Sequence, residues 1–134
     1  MTTTSTTRTT VWPTLIYRDA PAALHFLSEA FGFEETLVVP GDVEGVVAHA
    51  EMRWPLGGGI MLGSVRSDSI LGEKHVGAAS VCVVTDEPDA LFARATAAGA
   101  KVALGVEDTH YGARGFTVED PEGNLWSFGT YVGA

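Results

Sequence analysis

The chain has 134 residues, of which 46% are hydrophobic, and these values are typical of one globular domain with a buried core. Its formal net charge of −9 disfavours nucleic acid and anionic membrane surfaces as partners. A single cysteine, Cys82, excludes an intramolecular disulfide, and its place in an apolar run predicts a buried, inert thiol.

The first ten residues are rich in threonine and lack the apolar segment of a signal peptide. Elsewhere, no apolar run approaches the roughly 20 residues that a membrane-spanning helix needs. We therefore expect residues 1–10 to form a disordered tail on a cytosolic protein that does not contact membranes.

The first half of the chain predicts a strand, a helix and three further strands. Residues 11–17 are apolar and rich in strand formers. Asp19 and Pro21 are typical of a helix start, because Asp19 can accept from free amides and Pro21 needs no amide partner there. Apolar residues then recur at helical spacing as far as Gly32, which can end a helix in the left-handed conformation. Three apolar runs follow at 33–39, 45–54 and 58–65.

The second half repeats this order. The helix start Asp19-Ala-Pro21 returns as Asp86-Glu-Pro88, and a later turn returns as Pro121-Glu-Gly123. A polar linker at residues 67–76 separates the copies. The predicted elements of the second copy lie at 78–84, 87–98, 101–106, 116–119 and 124–132.

The repeat predicts one domain over residues 11–132, with modules at 11–66 and 77–132. Two copies are too few for a solenoid, which needs at least about three repeats to bury a continuous core. We therefore expect the modules to pair about a pseudo-twofold axis, with a ligand bound between them.

A tandem βαβββ chain of this size, with Asp120-Pro-Glu-Gly-Asn124 before its last strand, resembles the vicinal oxygen chelate superfamily. That superfamily includes glyoxalase I, extradiol dioxygenases and bleomycin resistance proteins. The resemblance covers residues 11–131, and segment 111–124 is most similar to the bleomycin resistance and uncharacterised glyoxalase-like branches. It implies an α+β fold in which two βαβββ modules form a curved mixed sheet with a central cup. It implies no single activity, because this scaffold hosts isomerisation, ring cleavage and plain ligand capture.

In the enzymes of that superfamily, each module places one metal ligand on its first strand and another on its last strand. The resemblance assigns these positions here to Trp12, Met61, Ser80 (or Ala79) and Ser127. None offers the carboxylate or imidazole donors that Mn²⁺ or Fe²⁺ requires. We therefore expect no metal and no cofactor.

The same resemblance implies a cup that suits a planar organic ligand. Side chains alternate between the two faces of a strand, and in this arrangement Trp126 points away from the cup. The side chains that point into the cup are Trp12, Thr14, Met61, Ser80 and Ser127. Residues 110–114 form a loop beside it. The predicted ligand-binding residues are Trp12, Thr14, His49, Glu51, Met61, Ser80, His110, Tyr111, Arg114, Phe116 and Ser127.

His49 and Glu51 are two positions apart in a predicted strand and therefore share one face. They could form half of a displaced metal site or an acid–base pair, but a solvated strand face is the favoured interpretation. The other histidines, at positions 25, 75 and 110, lack the spacing of metal ligands.

These features favour a metal-independent binding protein that captures an antibiotic or another aromatic metabolite. Its net charge favours neutral or cationic ligands over anionic ones. We expect a homodimer, because open sheet edges and an apolar concavity need cover. The alternatives are a glyoxalase- or dioxygenase-like enzyme with a nonstandard site, and a structural module without a ligand.

Overall fold

The structure is a computed structural model that describes residues 8–134. The tail predicted for residues 1–10 lies outside the described residues, apart from residues 8–10, which have no regular secondary structure. Neither helix of the described part has the length and apolar character that crossing a bilayer requires.

The first module is a mixed four-stranded sheet with one helical segment. Strand β1 is Thr14–Tyr17, and helix α1 covers Ala20–Phe26 and continues as a π-helical segment over Leu27–Phe31. Strands β2, β3 and β4 are Glu34–Pro40, Val47–Arg53 and Gly59–Ser64. The order across the sheet is β1-β4-β3-β2, in which β1 runs parallel to β4 and the other neighbours are antiparallel.

Local chemistry sets both ends of this helical segment, as the sequence predicts. The Asp19 carboxylate accepts a hydrogen bond from the Ala22 amide at 3.1 Å, and Pro21 lies in the first turn. Gly32 ends the segment with a φ of 92°, a conformation that any larger residue would adopt only under strain.

The second module repeats this architecture after a short 3₁₀ turn at Glu73–His75. The order across its sheet is β5-β8-β7-β6, with β5 parallel to β8 and the rest antiparallel. The predicted class, α+β with tandem βαβββ modules, is therefore confirmed, and each module forms its own sheet. Its elements are β5 (Ser80–Val84), α2 (Pro88–Ala97), β6 (Lys101–Asp108), β7 (Arg114–Glu119) and β8 (Leu125–Gly129).

One hydrophobic core joins the two modules, because one face of each sheet turns toward the other module. The rings of Trp126 and Phe128 on β8 lie 5.4 and 4.7 Å from the ring of Phe31, measured between centroids. Trp54, which follows β3, lies 5.8 Å from Phe128 and donates its indole N–H to the carbonyl of Val84. Aromatic side chains therefore fill the space between the modules.

A buried carboxylate, Asp120, also links the modules and is only 4% exposed. Its Oδ2 accepts from the Tyr17 hydroxyl at 2.7 Å, the Trp126 indole at 3.0 Å and the Asn124 side-chain amide at 3.0 Å. Its Oδ1 accepts from the backbone amides of Glu122 and Asn124. A carboxylate held away from water needs such a set of donors.

Two surface contacts reinforce this junction. The Glu122 carboxylate accepts from the backbone amides of Arg18 and Asp19, at 2.6 and 2.9 Å, where β1 leads into α1. From α2, the Arg94 guanidinium donates to two carbonyls near the end of the first helical segment, at 2.9 and 3.0 Å. The Ser28 carbonyl also accepts from the Gly32 amide, so the cation from the other module adds to this cap and interacts favourably with the C-terminal end of the helical segment.

Burial of the Tyr17 hydroxyl against Asp120 makes the free energy of unfolding decrease as the pH rises in the alkaline range. Burial, together with the neighbouring Asp120 charge, raises the pKa of the Tyr17 hydroxyl far above its ordinary value of 10.0. Above about pH 10 the unfolded chain loses this proton while the native chain keeps it. The contribution of Tyr17 to the free energy of unfolding is therefore complete below pH 10 and falls by up to about 1.4 kcal/mol per pH unit above it.

We predict that Tyr17→Phe lowers the free energy of unfolding by about 1 to 3 kcal/mol at pH 7, because Asp120 loses one donor. The difference from wild type should shrink between pH 10 and pH 11, as measured by urea unfolding. Tyr111→Phe serves as the control, because this hydroxyl is exposed and makes no hydrogen bond among residues 8–134. An equal Tyr17→Phe effect at pH 7 and pH 11 would contradict the role of this proton.

Candidate functional site

The predicted ligand-binding residues lie on the outward faces of the two sheets or in the segments that adjoin them, apart from Phe116, whose side chain is buried in the core. Since the inner faces pack into one core, the outward faces form two separate groups within the chain. The first-sheet group is Trp12, Thr14, His49, Glu51 and Met61, and the second-sheet group is Ser80, His110, Tyr111, Arg114 and Ser127.

The first-sheet group contains a close imidazole–carboxylate pair. Thr14, Met61 and Glu51 lie side by side across β1, β4 and β3. His49 Nε2 lies 2.8 Å from Glu51 Oε2, and both side chains are partly exposed. Within residues 8–134, no group of three or more His, Cys, Asp or Glu side chains is placed to hold a metal ion.

The metal positions that the resemblance assigns do not fit a hard metal ion in this chain. Trp12 covers the backbone at Gly59, where an added Cβ would lie 2.7 Å from the indole ring. Met61 offers only a thioether, and the Ser127 hydroxyl is hydrogen-bonded to Thr117 at 2.8 Å. Because none of these groups is an anionic oxygen donor or an imidazole, no catalytic step through a metal follows from them.

A cavity of about 360 Å³ lies on the outward face of the second sheet. Part of its floor is a row formed by Cys82, Ser127 and Thr117, which lie side by side on β5, β8 and β7. Leu104 of β6 forms an apolar wall and is 57% exposed. This floor combines apolar surface with two hydroxyls and one thiol.

The prediction that Cys82 is a buried thiol is wrong, because the structure exposes it. Strand alternation explains the error: Val81 and Val83 pack against the core, and Cys82 between them points outward. In an apolar run, a residue at the middle of a strand cannot be assigned to a face without the register of the sheet.

Glycines make the next row of the floor flat. Gly129 lies between Val84 and Gly115, and Gly115 in turn pairs with Glu107 on β6. A Cβ on Gly115 would lie 2.5 Å from the carbonyl oxygen of Phe128, so this close approach of strands requires glycine. The row leaves open space beside the Glu107 side chain, which also lines the cavity.

Aromatic side chains stand at the rim of this cavity. The rings of Tyr111 and Tyr131 are 5.4 Å apart in an edge-to-face arrangement, and His110 lies 5.1 Å from Tyr111. The rim loop is held by a hydrogen bond from the Ala113 amide to the Thr109 hydroxyl at 3.0 Å. Both tyrosines are exposed, so they offer ring surface to a ligand that enters from solvent.

Arg114 lines the cavity, but its charge is already engaged. The guanidinium donates to both oxygens of Asp89 at 2.9 Å and to Asp108 at 3.0 Å. Hydrogen bonding to Arg114 holds the pKa of Asp89 below its usual range, and the two carboxyl groups raise the pKa of Arg114. This clamp ties the start of α2 to the β6–β7 hairpin and carries a net charge of about −1.

The structure brings four of the predicted residues together at this cavity, and a fifth, His110, lies against its rim. Ser80 lies on the same face of β5 but outside the lining. The first-sheet group contributes nothing to this cavity. The predicted residues that line it are Tyr111, Arg114, Phe116 and Ser127.

Sequence reasoning missed several lining residues. Alternation from Ser127 could have found those on the paired strands, but only with the strand register known. Tyr131, two residues beyond β8, continues the same alternation. The missed residues include Cys82, Leu104, Glu107, Thr117 and Tyr131.

Comparison with other proteins extends over nearly the whole chain. An uncharacterised protein of Mycobacterium bovis is 34% identical over 129 residues, which cover 90% of this chain and 82% of the relative. An uncharacterised protein of Mycobacterium tuberculosis is also 34% identical over 129 residues, covering 90% of this chain and 73% of that protein.

Solved structures show the same fold. TioX from Micromonospora sp. ML1 superposes with a TM-score of 0.75 at 28% identity, covering 92% of this chain and 100% of TioX. A glyoxalase/bleomycin resistance protein/dioxygenase from Nocardioides has a TM-score of 0.67 at 19% identity, covering 95% of this chain and 86% of that chain. The family model of this superfamily matches residues 9–128. The chain therefore belongs to the Glyoxalase/Bleomycin resistance protein/Dioxygenase superfamily.

Proposed function

We propose that this protein reversibly binds a small planar organic compound in the second-sheet cavity, without a metal, and releases it chemically intact. An antibiotic or another aromatic metabolite sequestered in the cytosol fits this function. The observation that carries the proposal is the cavity itself. Its volume of about 360 Å³ falls within the roughly 300 to 1,000 Å³ of small-molecule pockets.

The lining supports this class of ligand. Leu104 offers an apolar wall, while Tyr111 and Tyr131 offer flat ring surface whose ordering costs little conformational entropy. The Thr117 and Ser127 hydroxyls supply the few hydrogen bonds that orient a ligand in such pockets. Reversible binding of this kind requires no catalytic residue.

We predict that Leu104→Ala weakens the binding of a planar aromatic ligand by about 1 kcal/mol, or roughly fivefold in Kd, because apolar contact area is lost. Leu56→Ala is the matched control: Leu56 is 58% exposed, against 57% for Leu104, but lies in the first module away from the cavity. Calorimetric titration with acridine and with a panel of planar aromatic antibiotics measures both variants.

Mass spectrometry of the recovered compounds completes this experiment. Intact compounds agree with capture, whereas a chemically altered compound would favour an enzyme. If Leu56→Ala weakened binding as much as Leu104→Ala, the ligand would not occupy the second-sheet cavity. If no compound bound, the interpretation as a structural module without a ligand would replace this proposal.

A twofold homodimer is a further part of the proposal. The outward face of the first sheet exposes Leu37 and Val39 on β2, and the outward face of the second sheet exposes Leu104 and Tyr131. A twofold axis would place the outward face of the first sheet in each copy against the outward face of the second sheet in the other copy. The first-sheet group, including Trp12, would then cover the cavity of the other copy.

We predict that the protein sediments at about twice its chain mass of 14.1 kDa. Val39→Lys should shift it to monomer, because burying a charged side chain in an apolar contact costs free energy. Val43→Lys should remain dimeric, since Val43 lies in the loop after β2 rather than on the sheet face. Monomeric wild-type protein at micromolar concentration would overturn the dimer.

The second candidate function is an enzyme, and the His49–Glu51 contact at 2.8 Å is the observation that favours it. A carboxylate next to an imidazole can orient it for proton transfer. The same pair would also supply two ligands to a displaced metal. Metal content therefore separates this candidate from metal-free capture.

We predict that the purified protein holds no stoichiometric divalent metal, as measured by elemental analysis. Its Tm should not rise with Ni²⁺, Zn²⁺ or Mn²⁺, because only binding to the native state raises stability. Glu34→Gln is a suitable control for charge loss on the same module, since Glu34 pairs with Arg53 instead. One metal per chain that is lost in His49→Ala but kept in Glu34→Gln would support the enzyme instead.

A further inference from the structure

We propose that the ligand of the second-sheet cavity is a cationic aromatic compound, and that Glu107 together with the rim tyrosines recognises its positive charge. This inference rests on the proposed function and narrows its ligand class. Three features of the cavity support this ligand class: the ion pairs of Arg114, the unpaired Glu107 carboxylate, and the arrangement of Tyr111 and Tyr131.

First, the part of the chain that the structure describes presents no uncommitted positive charge to the cavity. Within residues 8–134, Arg114 is the one basic residue in the lining, and its guanidinium donates to the carboxylates of Asp89 and Asp108. Two negative charges around one positive charge leave this side of the cavity negative. An anionic ligand would have to displace a bidentate carboxylate to reach the guanidinium.

Second, Glu107 has no hydrogen-bond or ion-pair partner among residues 8–134, although it lines the cavity. A carboxylate on the other sheet, Glu34, pairs with Arg53 at 2.7 Å. The residue opposite Glu107 is Gly115, so no side chain separates the carboxylate from the cavity floor. A ligand cation could therefore approach Glu107 directly over this glycine.

Third, the aromatic rim suits a cation. The electron-rich face of a tyrosine ring attracts a positive charge that lies within about 6 Å of the ring centroid. Tyr111 and Tyr131 are arranged edge to face at 5.4 Å, so their ring faces point in different directions at the cavity mouth. The formal net charge of −9 adds a long-range field that attracts cations.

The test uses three ligands that share one ring system and differ in charge: cationic 9-aminoacridine, neutral acridine and anionic acridine-9-carboxylate, at pH 8. We expect affinity to fall in that order in wild-type protein. Glu107→Gln should weaken the binding of 9-aminoacridine by about two- to fivefold, because an exposed charge pair is lost, and should change the binding of acridine by less than twofold. Calorimetry measures each Kd, and circular dichroism and Tm check that the variants fold.

Two variants test whether position as well as charge matters. Glu29→Gln removes the same charge from the first helical segment, away from the cavity, and should leave the affinity for 9-aminoacridine nearly unchanged. Glu107→Asp keeps the charge and should retain most of the preference for the cation. Equal losses in Glu29→Gln and Glu107→Gln would show that only the overall field acts, and would overturn the role of Glu107.

The remaining outcomes separate this inference from the proposed function. If acridine and 9-aminoacridine bind wild-type protein equally, and both weaken in Leu104→Ala, capture in this cavity stands and the preference for a cation is overturned. If acridine-9-carboxylate binds most tightly, the inference is overturned in the same way. If none of the three binds, the proposed function fails for this ring class and the inference fails with it.

Discussion

The buried Asp120 carboxylate is the constraint on which the arrangement of the two modules depends. A carboxylate in an apolar interior is tolerated only where donors surround it, and here they come from both halves of the chain. Tyr17 supplies a hydroxyl from the first strand of one module, and Trp126 supplies an indole N–H from the last strand of the other. The relative position of these strands is therefore fixed by hydrogen-bond geometry as well as by apolar packing. The rings of Phe31 and Phe128 fill the adjacent space.

This junction determines where a ligand can bind. Because both sheets use their inner faces for one core, their outward faces are the surfaces left for other molecules. The cavity then belongs to the second sheet alone, where glycines at positions 115 and 129 keep the floor low. The first sheet instead holds the His49–Glu51 pair and exposed apolar side chains. In the proposed dimer, the first-sheet group of one copy and the second-sheet cavity of the other copy would together form one cup.

The chemistry of the cavity depends on which of its charged side chains form ion pairs within the chain. Arg114 is a basic residue in the cavity lining, but Asp89 and Asp108 accept the hydrogen bonds of its guanidinium. It acts instead as a clamp that holds the rim loop against α2. Within residues 8–134, Glu107 is the charge left unpaired at the cavity, and the positions that the resemblance assigns to metal ligands hold Trp, Met and Ser side chains. Together these features support the proposal that the cavity captures a flat, positively charged molecule.

The sequence by itself determined the repeated strand–helix–strand order, both helix starts and the glycine that ends the first helical segment, because these depend on neighbours within a few residues. The resemblance added the superfamily, and with it the prediction that Ser127, Tyr111 and Arg114 bind a ligand. Only the tertiary structure decided that Cys82 faces outward, that Glu107 and Tyr131 join the cavity, and that Arg114 is neutralised by Asp89 from another element. These outcomes depend on strand register and on the packing of one module against the other, since a shift of one residue turns every side chain of a strand to the opposite face.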